Sequence, residues 1–217
     1  MTAPRVQAFI ALARRQRVVP VLRFDDRGTA AFVVRALEPV FEAIELTFTI
    51  PDVLGLIAEL KAAGASKPML GVGTILDRRM AEEAVAAGAD FVVSPGWVDG
   101  LVPAAAARGV PSLVGAFTPA EVIRAHDAGA DVVKLFPAAT GGPGHVAALR
   151  AVFPRLVLCP TGGIGVDDVA HYLRAGADFV GVGGQLLDAG AVRSGDAARV
   201  ASGAREFLRR ALGDRSC

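Results

Sequence analysis

The 217-residue sequence predicts an α/β fold, a (β/α)8 TIM barrel with an extra N-terminal helix. Eight short β-branched runs alternate with alanine-rich stretches of helical character. Most of those helical stretches begin with Asp, Thr-Pro or Pro-Asp, residues that satisfy the free N–H groups of a first helical turn. The phrase Ala-Gly-Ala-Asp recurs at 87–90, 128–131 and 175–178, each time directly before a strand-like run. Its glycine suits the left-handed turn that ends a helix.

Taken in order, residues 3–15 form an amphipathic segment, with Phe9, Ile10 and Leu12 beside Arg14 and Arg15. They predict a helix that caps the barrel floor. The strands fall at 18–24, 43–48, 69–74, 91–95, 112–117, 132–136, 156–160 and 179–183. Helix starts follow at Asp25-Asp26, Pro51-Asp52, Asp77, Thr118-Pro119 and Asp167-Asp168, and Ala63-Gly64-Ala65 stops the helix before the third strand. A last helix spans roughly residues 196–211. A doubly wound open sheet fits less well, because no G-x-G-x-x-G follows the first strand and the repeats are too even for two halves. No linker divides the chain, so residues 1–217 read as a single domain.

Composition narrows the function. Apolar residues make up 53% of the chain and the formal net charge is +1, which gives no basic surface for nucleic acid. The longest apolar runs are about strand length, so no membrane span is expected, and the N-terminus lacks the apolar core of a secretory signal. Cys159 and Cys217 form no disulfide framework and have no metal-ligand spacing. His126 and His171 fall in helices away from strand ends, and His145 begins the helix after Gly141-Gly-Pro-Gly144. No His/Asp/Glu cluster has metal spacing. A cytoplasmic protein is expected.

The most telling residue is Lys134. Arginine supplies 20 of the 23 basic residues, and Lys61 and Lys67 lie in polar contexts. Lys134 instead interrupts the apolar run Asp131-Val-Val-Lys-Leu-Phe-Pro137. Burial disfavours a charged ammonium, and a lysine in such a place yields a neutral amine able to attack a carbonyl. The plainer reading is a lysine paired with a carboxylate or reaching out along the strand.

In a barrel of this kind the chemistry lies where strands end and helices begin. Period-two alternation puts Val19, Val21 and Arg23 on one face of the first strand, and Glu45 with Thr47 on one face of the second. Thr74 closes the third strand and Ser94-Pro95-Gly96 the fourth. Lys134 shares a face with Phe136 on the sixth. Thr161-Gly162-Gly163 closes the seventh and Gly183-Gly184-Gln185 the eighth. Glu45 lies in an otherwise apolar strand, so it is either paired or functional. Arg23 either neutralises Glu45 or clamps a substrate carboxylate. Thr47, Thr74 and Thr161 are each at home in strands for structural reasons. The glycine-rich turns after strands seven and eight suit a phosphate held by backbone N–H groups.

These motifs, in order, resemble the 2-keto-3-deoxy-6-phosphogluconate (KDPG) and 4-hydroxy-2-oxoglutarate (KHG) aldolase family. The resemblance runs through Val-Val-Pro-Val-Leu-Arg23, Ile-Glu45-Leu-Thr-Phe-Thr, Gly-Val-Gly-Thr74, Val-Ser-Pro-Gly96, Thr-Pro-Ala-Glu121, Lys134-Leu-Phe-Pro-Ala, Pro-Thr-Gly-Gly163 and Val-Gly-Gly184. It implies a (β/α)8 barrel assembled as a homotrimer, acting on a small-molecule 2-oxo acid by a class I mechanism that needs no metal or organic cofactor. It makes Lys134 the Schiff-base lysine and Glu45 the acid/base group. Thr74 and Pro95 become pyruvate contacts, and Thr161, Gly162, Gly163, Gly183 and Gly184 the phosphate loop. Thr47 and Phe136 complete the expected substrate-binding set.

Two departures qualify it. Thr49 stands where many members carry a carboxylate-holding arginine, which assigns that task to Arg23. Gly184-Gln185 stands where a serine often completes the last loop, which keeps the galactonate epimer and unphosphorylated 2-oxo acids as alternative substrates. A phosphate-binding barrel isomerase or epimerase and a non-catalytic sugar-phosphate binder are the competing functions.

Overall fold

The computed structural model describes residues 3–62 and 68–213. The helix stop at Ala63-Gly64-Ala65, Lys67 and Cys217 lie outside the described residues. Eight parallel strands alternate with helices: α1 (Pro4–Gln16), β1 (Val18–Leu22), α2 (Arg27–Leu37), β2 (Ala43–Thr47), α3 (Val53–Ala62), β3 (Met69–Gly73), α4 (Arg78–Ala86) and β4 (Phe91–Val93). They continue as α5 (Leu101–Ala106), β5 (Ser112–Ala116), α6 (Pro119–Asp127), β6 (Val132–Leu135), α7 (Ala138–Val152), β7 (Leu158–Pro160), α8 (Val169–Arg174) and β8 (Val180–Val182). A 3-10 turn (Gly184–Leu186), α9 (Ala189–Ser194) and α10 (Ala197–Leu212) complete the order. The strands are ordered β7-β6-β5-β4-β3-β2-β1-β8, and a Thr161–Gly181 bridge brings β7 beside β8. That closure makes the barrel.

The expected strands are all present, and each is one or two residues shorter than its apolar run. In β1 to β6 the residues lost lie at the mouth, where the pairing ends, whereas β7 loses Leu156 and Val157 at its start and β8 one residue at each end. Alternate residues separate two cores. Ile44, Leu46, Val72, Val133 and Leu135 point outward against the helices. Val19, Phe91, Val93, Leu113, Val132, Cys159 and Phe179 point inward and join Phe9 and Ala13 of α1. Phe9 lies with its ring centroid 4.6 Å from Phe91 and 6.2 Å from Phe179, so α1 seals the floor with aromatic surface. Gln16, at the end of α1, accepts the N–H groups of Glu42 and Ala43 at 2.6 and 2.9 Å, which satisfies the start of β2.

The helix starts follow their sequence signals in detail. Asp26 accepts the Thr29 N–H at 2.6 Å and Asp77 accepts that of Met80 at 2.8 Å. Thr118 and Glu121 form a reciprocal capping box on α6. Asp168 differs: its carboxylate accepts the Gly165 N–H at 3.0 Å, so it braces the preceding loop rather than the first turn of α8. α7 also differs from expectation. It starts at Ala138, breaks at Gly142 (φ 66°, ψ −178°), and restarts over Pro143, so His145 lies inside it.

Candidate active site

Lys134 projects into the barrel from β6, because Val132 and Lys134 share the inward face and Val133 and Leu135 the outward one. It is 5% exposed. Glu45, 3% exposed, projects inward from β2 on the far wall. The Lys134 Nζ lies 3.7 Å from Glu45 Oε1, within ion-pair range but beyond a hydrogen bond. Glu45 Oε1 is buried and has no hydrogen-bond partner. An acceptor left unsatisfied in a low-dielectric site is costly, so this pair is poor stabilising material and good chemical material.

The surroundings keep that amine dry on its lower side. Cys159 is in register with Lys134 on β7, and burial pushes its thiol up to about 12. Its Sγ meets Thr161 Oγ1 at 3.6 Å. Phe136 stands at the rim, 36% exposed, with its ring centroid 5.6 Å from Lys134 Nζ, inside cation–π reach. Gly162 lets that ring lie close, since a Cβ there would come within 2.9 Å of the ring edge.

Arg23 is exposed at the end of β1 and carries its Nη2 to 3.4 Å from Thr74 Oγ1. It makes no ion pair with Glu45; the carboxyl's charged partner is Lys134. That geometry favours the second of the two sequence readings, an arginine free to meet a substrate anion. Thr74 has φ 61°, a left-handed conformation that is a marked outlier for a β-branched residue. Thr47 is fully buried. Its hydroxyl donates to the Leu22 carbonyl at 3.1 Å and lies 2.7 Å from Thr49 Oγ1, so it ties β2 to β1. Pro95 is half-buried at the end of β4, and its carbonyl packs where a side chain at Gly115 would be.

The turns after β7 and β8 complete the rim. Gly162 and Gly163 have φ of 98° and 74°, which other residues rarely adopt. Gly183 lies under the Val21 carbonyl, and Gly184 opens to solvent with nothing near its missing Cβ. Gln185 is exposed, its Oε1 facing Gly165. No lysine or arginine lies within residues 161–165 or 183–187, so an anion there would depend on backbone dipoles.

His145, weak as a sequence candidate, lies 2.7 Å through its Nε2 from the Phe117 carbonyl and stacks on the Phe117 ring. It therefore joins the loop after β5 to α7. Sequence reasoning missed the inward glycines Gly73 and Gly115. Their signal was present, because a glycine at the inward position of a strand marks a close approach. Among the described residues no group of three or more His, Cys, Asp or Glu could hold a metal ion.

An eight-stranded parallel barrel with an amine and a carboxyl meeting inside it towards its C-terminal mouth is the frame of a barrel enzyme. The chain belongs to the KDPG and KHG aldolase family, whose model matches residues 9–202. It is 36% identical over 204 residues to a 2-dehydro-3-deoxy-phosphogluconate aldolase of Pseudomonas aeruginosa, covering 92% of this chain and 91% of that one. A probable 2-dehydro-3-deoxy-6-phosphogalactonate aldolase of Rhizobium meliloti is 33% identical, covering 80% and 82%. A Legionella pneumophila KDPG aldolase, with pyruvate captured as a covalent carbinolamine intermediate, superposes with a TM-score of 0.82. That structure is 26% identical and covers 93% of this chain and 97% of its own.

Proposed function

We propose that this protein is a class I aldolase that cleaves a 2-keto-3-deoxy sugar acid of the KDPG type to pyruvate and an aldehyde such as glyceraldehyde 3-phosphate. The observation that carries the site assignment is the 3.7 Å approach of Lys134 Nζ to Glu45 Oε1. In this reading the Lys134 amine attacks the C2 ketone, and loss of water from the carbinolamine gives a protonated imine. Glu45 takes the proton of the C4 hydroxyl. The C3–C4 bonding electrons move into the imine, the aldehyde leaves, and an enamine remains. Protonation at C3 and hydrolysis of the imine release pyruvate and regenerate the amine. Glu45 therefore serves as base in one direction and acid in the other.

Arg23 and Thr74 hold the carboxylate and Pro95 forms the wall beside the pyruvate moiety, whereas Thr47, expected among the substrate contacts, is fully buried and ties β2 to β1 instead. Phe136 covers the imine. Thr161, Gly162, Gly163, Gly183 and Gly184 position the far, phosphorylated end, which fixes the reacting carbon against the lysine. The Rhizobium meliloti relative supports including the galactonate epimer in the substrate panel. A single domain over residues 1–217, a homotrimer and a cytoplasmic location belong to the same proposal, and no described helix is long and apolar enough to cross a membrane.

Borohydride reduction in the presence of pyruvate is the test. The wild type should gain a pyruvyl adduct on the Lys134 peptide, and Lys134→Ala should gain none. An adduct elsewhere would reassign the Schiff base. Glu45→Gln should lower kcat far more than it raises KM; a pure KM effect would remove its proton-transfer role.

A further inference from the structure

The Lys134–Glu45 encounter spans the barrel. β2 and β6 are separated by β3, β4 and β5, so the two side chains start on opposite walls and must meet across the interior. Anything filling the space between them would prevent it. The inward positions beside the pair are stripped: Gly71 and Gly73 on β3, Gly115 on β5 and Gly181 on β8. They do different work. A Cβ at Gly71 would strike the Phe91 ring, one at Gly115 the Pro95 backbone, and one at Gly181 the Thr161 side chain.

Gly73 is the member that touches the chemistry. A Cβ there would fall on Glu45 Oε1 itself, 2.6 Å from Cδ and 2.9 Å from Cγ. Oε1 is also the oxygen that faces Lys134, and no hydrogen bond holds it. With no hydrogen bond to aim it, this buried oxygen is placed by the Lys134 charge 3.7 Å away and by the shape of its surroundings. The niche left by the missing side chain at position 73 supplies that shape. The φ of Gly73 lies outside the left-handed region, so the glycine is not there for its backbone freedom.

We propose that Gly73 is a positioning residue that seats the Glu45 carboxyl opposite the Lys134 amine, and that its lack of a side chain is a requirement of turnover. The inference rests on Glu45 being the proton-carrying group. With alanine at 73 the carboxyl must swing off its line to the lysine, and proton transfer depends on that line. Substrate contacts on β1, β4 and β6 are left in place.

The experiment compares Gly73→Ala, Glu45→Ala and the double variant by kcat, KM, exchange of pyruvate C3 protons with deuterated solvent, and thermal unfolding. Gly73→Ala should lose at least about 100-fold in kcat and in proton exchange together, with KM little changed. It should destabilise the wild type yet cost little in the Glu45→Ala background, where the carboxyl is gone. The stability cycle is informative even if Gly73→Ala purifies poorly. Near-normal turnover and exchange in a folded Gly73→Ala would overturn the proposal. So would an equal loss of stability in both backgrounds, which would make Gly73 a packing glycine only. If Glu45→Ala itself turns over normally, the role of Glu45 fails instead, and the two failures are told apart.

Discussion

At Lys134 and Glu45 the molecule keeps a buried pair that costs stability. Two ionisable groups sit inside an apolar barrel at 3.7 Å without a hydrogen bond between them. Removing one partner of a buried pair costs roughly 3–5 kcal/mol, whereas replacing both by groups of similar shape is often neutral or stabilising. Lys134→Met should therefore lower the unfolding midpoint, and adding Glu45→Gln should restore much of the loss while activity stays absent. Equal midpoints for the single and double variants would remove the pair from the stability account. Cys159 supplies a second residue-scale test. Desolvation raises its thiol from 9.0 to about 12, so the folded state keeps a proton that the unfolded chain releases above pH 9. Stability should then fall as pH rises from 9 towards 12, and Cys159→Ala should flatten that slope in urea titrations. The native thiol should also resist alkylation at pH 8.

Single elements show how a repeat in the sequence becomes a repeat in the fold. The glycines of the three Ala-Gly-Ala-Asp phrases, Gly88, Gly129 and Gly176, all adopt positive φ and end a helix. The aspartates that follow have a purpose visible only in three dimensions. Asp90, Asp131 and Asp178 accept an N–H at the start of the neighbouring strand, from Leu70 (the second residue of β3), Ser112 and Leu158, at 2.8–2.9 Å. Each phrase thus ends one helix and anchors the strand before it. The α6 capping box is a sharper case for measurement. Backbone N–H groups of Thr118 and Phe117 hold the Glu121 carboxyl below its usual range. A carboxyl depressed in the folded state lends stability above its unfolded pKa of about 4.5, and that stability is lost as pH falls through the folded value. Thr118→Ala should cost about 1 kcal/mol at pH 7. Glu121→Gln should make stability less steep between pH 5 and pH 3, as read by urea denaturation.

For the whole molecule, floor and mouth are separate in energy and function. Phe9, Phe91 and Phe179 fill the end where α1 docks, and Lys134 lies nearer the other. Phe9→Ala should cost roughly 3–5 kcal/mol in unfolding free energy. It should leave kcat of the folded protein close to normal; a matching fall in kcat would show that floor packing sets the position of the Lys134–Glu45 pair. The chain by itself determined the alternation of strands and helices, the barrel class, and the odd lysine and glutamate in apolar strands. Those properties follow from period, propensity and burial cost, which act over a few residues. Only the closed sheet decided who meets whom. It set Glu45 against Lys134 rather than Arg23, committed the Thr47 hydroxyl to the β1 backbone, and bound His145 to the Phe117 carbonyl. It also brought Gly73 against the Glu45 carboxyl. These are distances between residues far apart along the chain, and they exist only once eight strands close on one another.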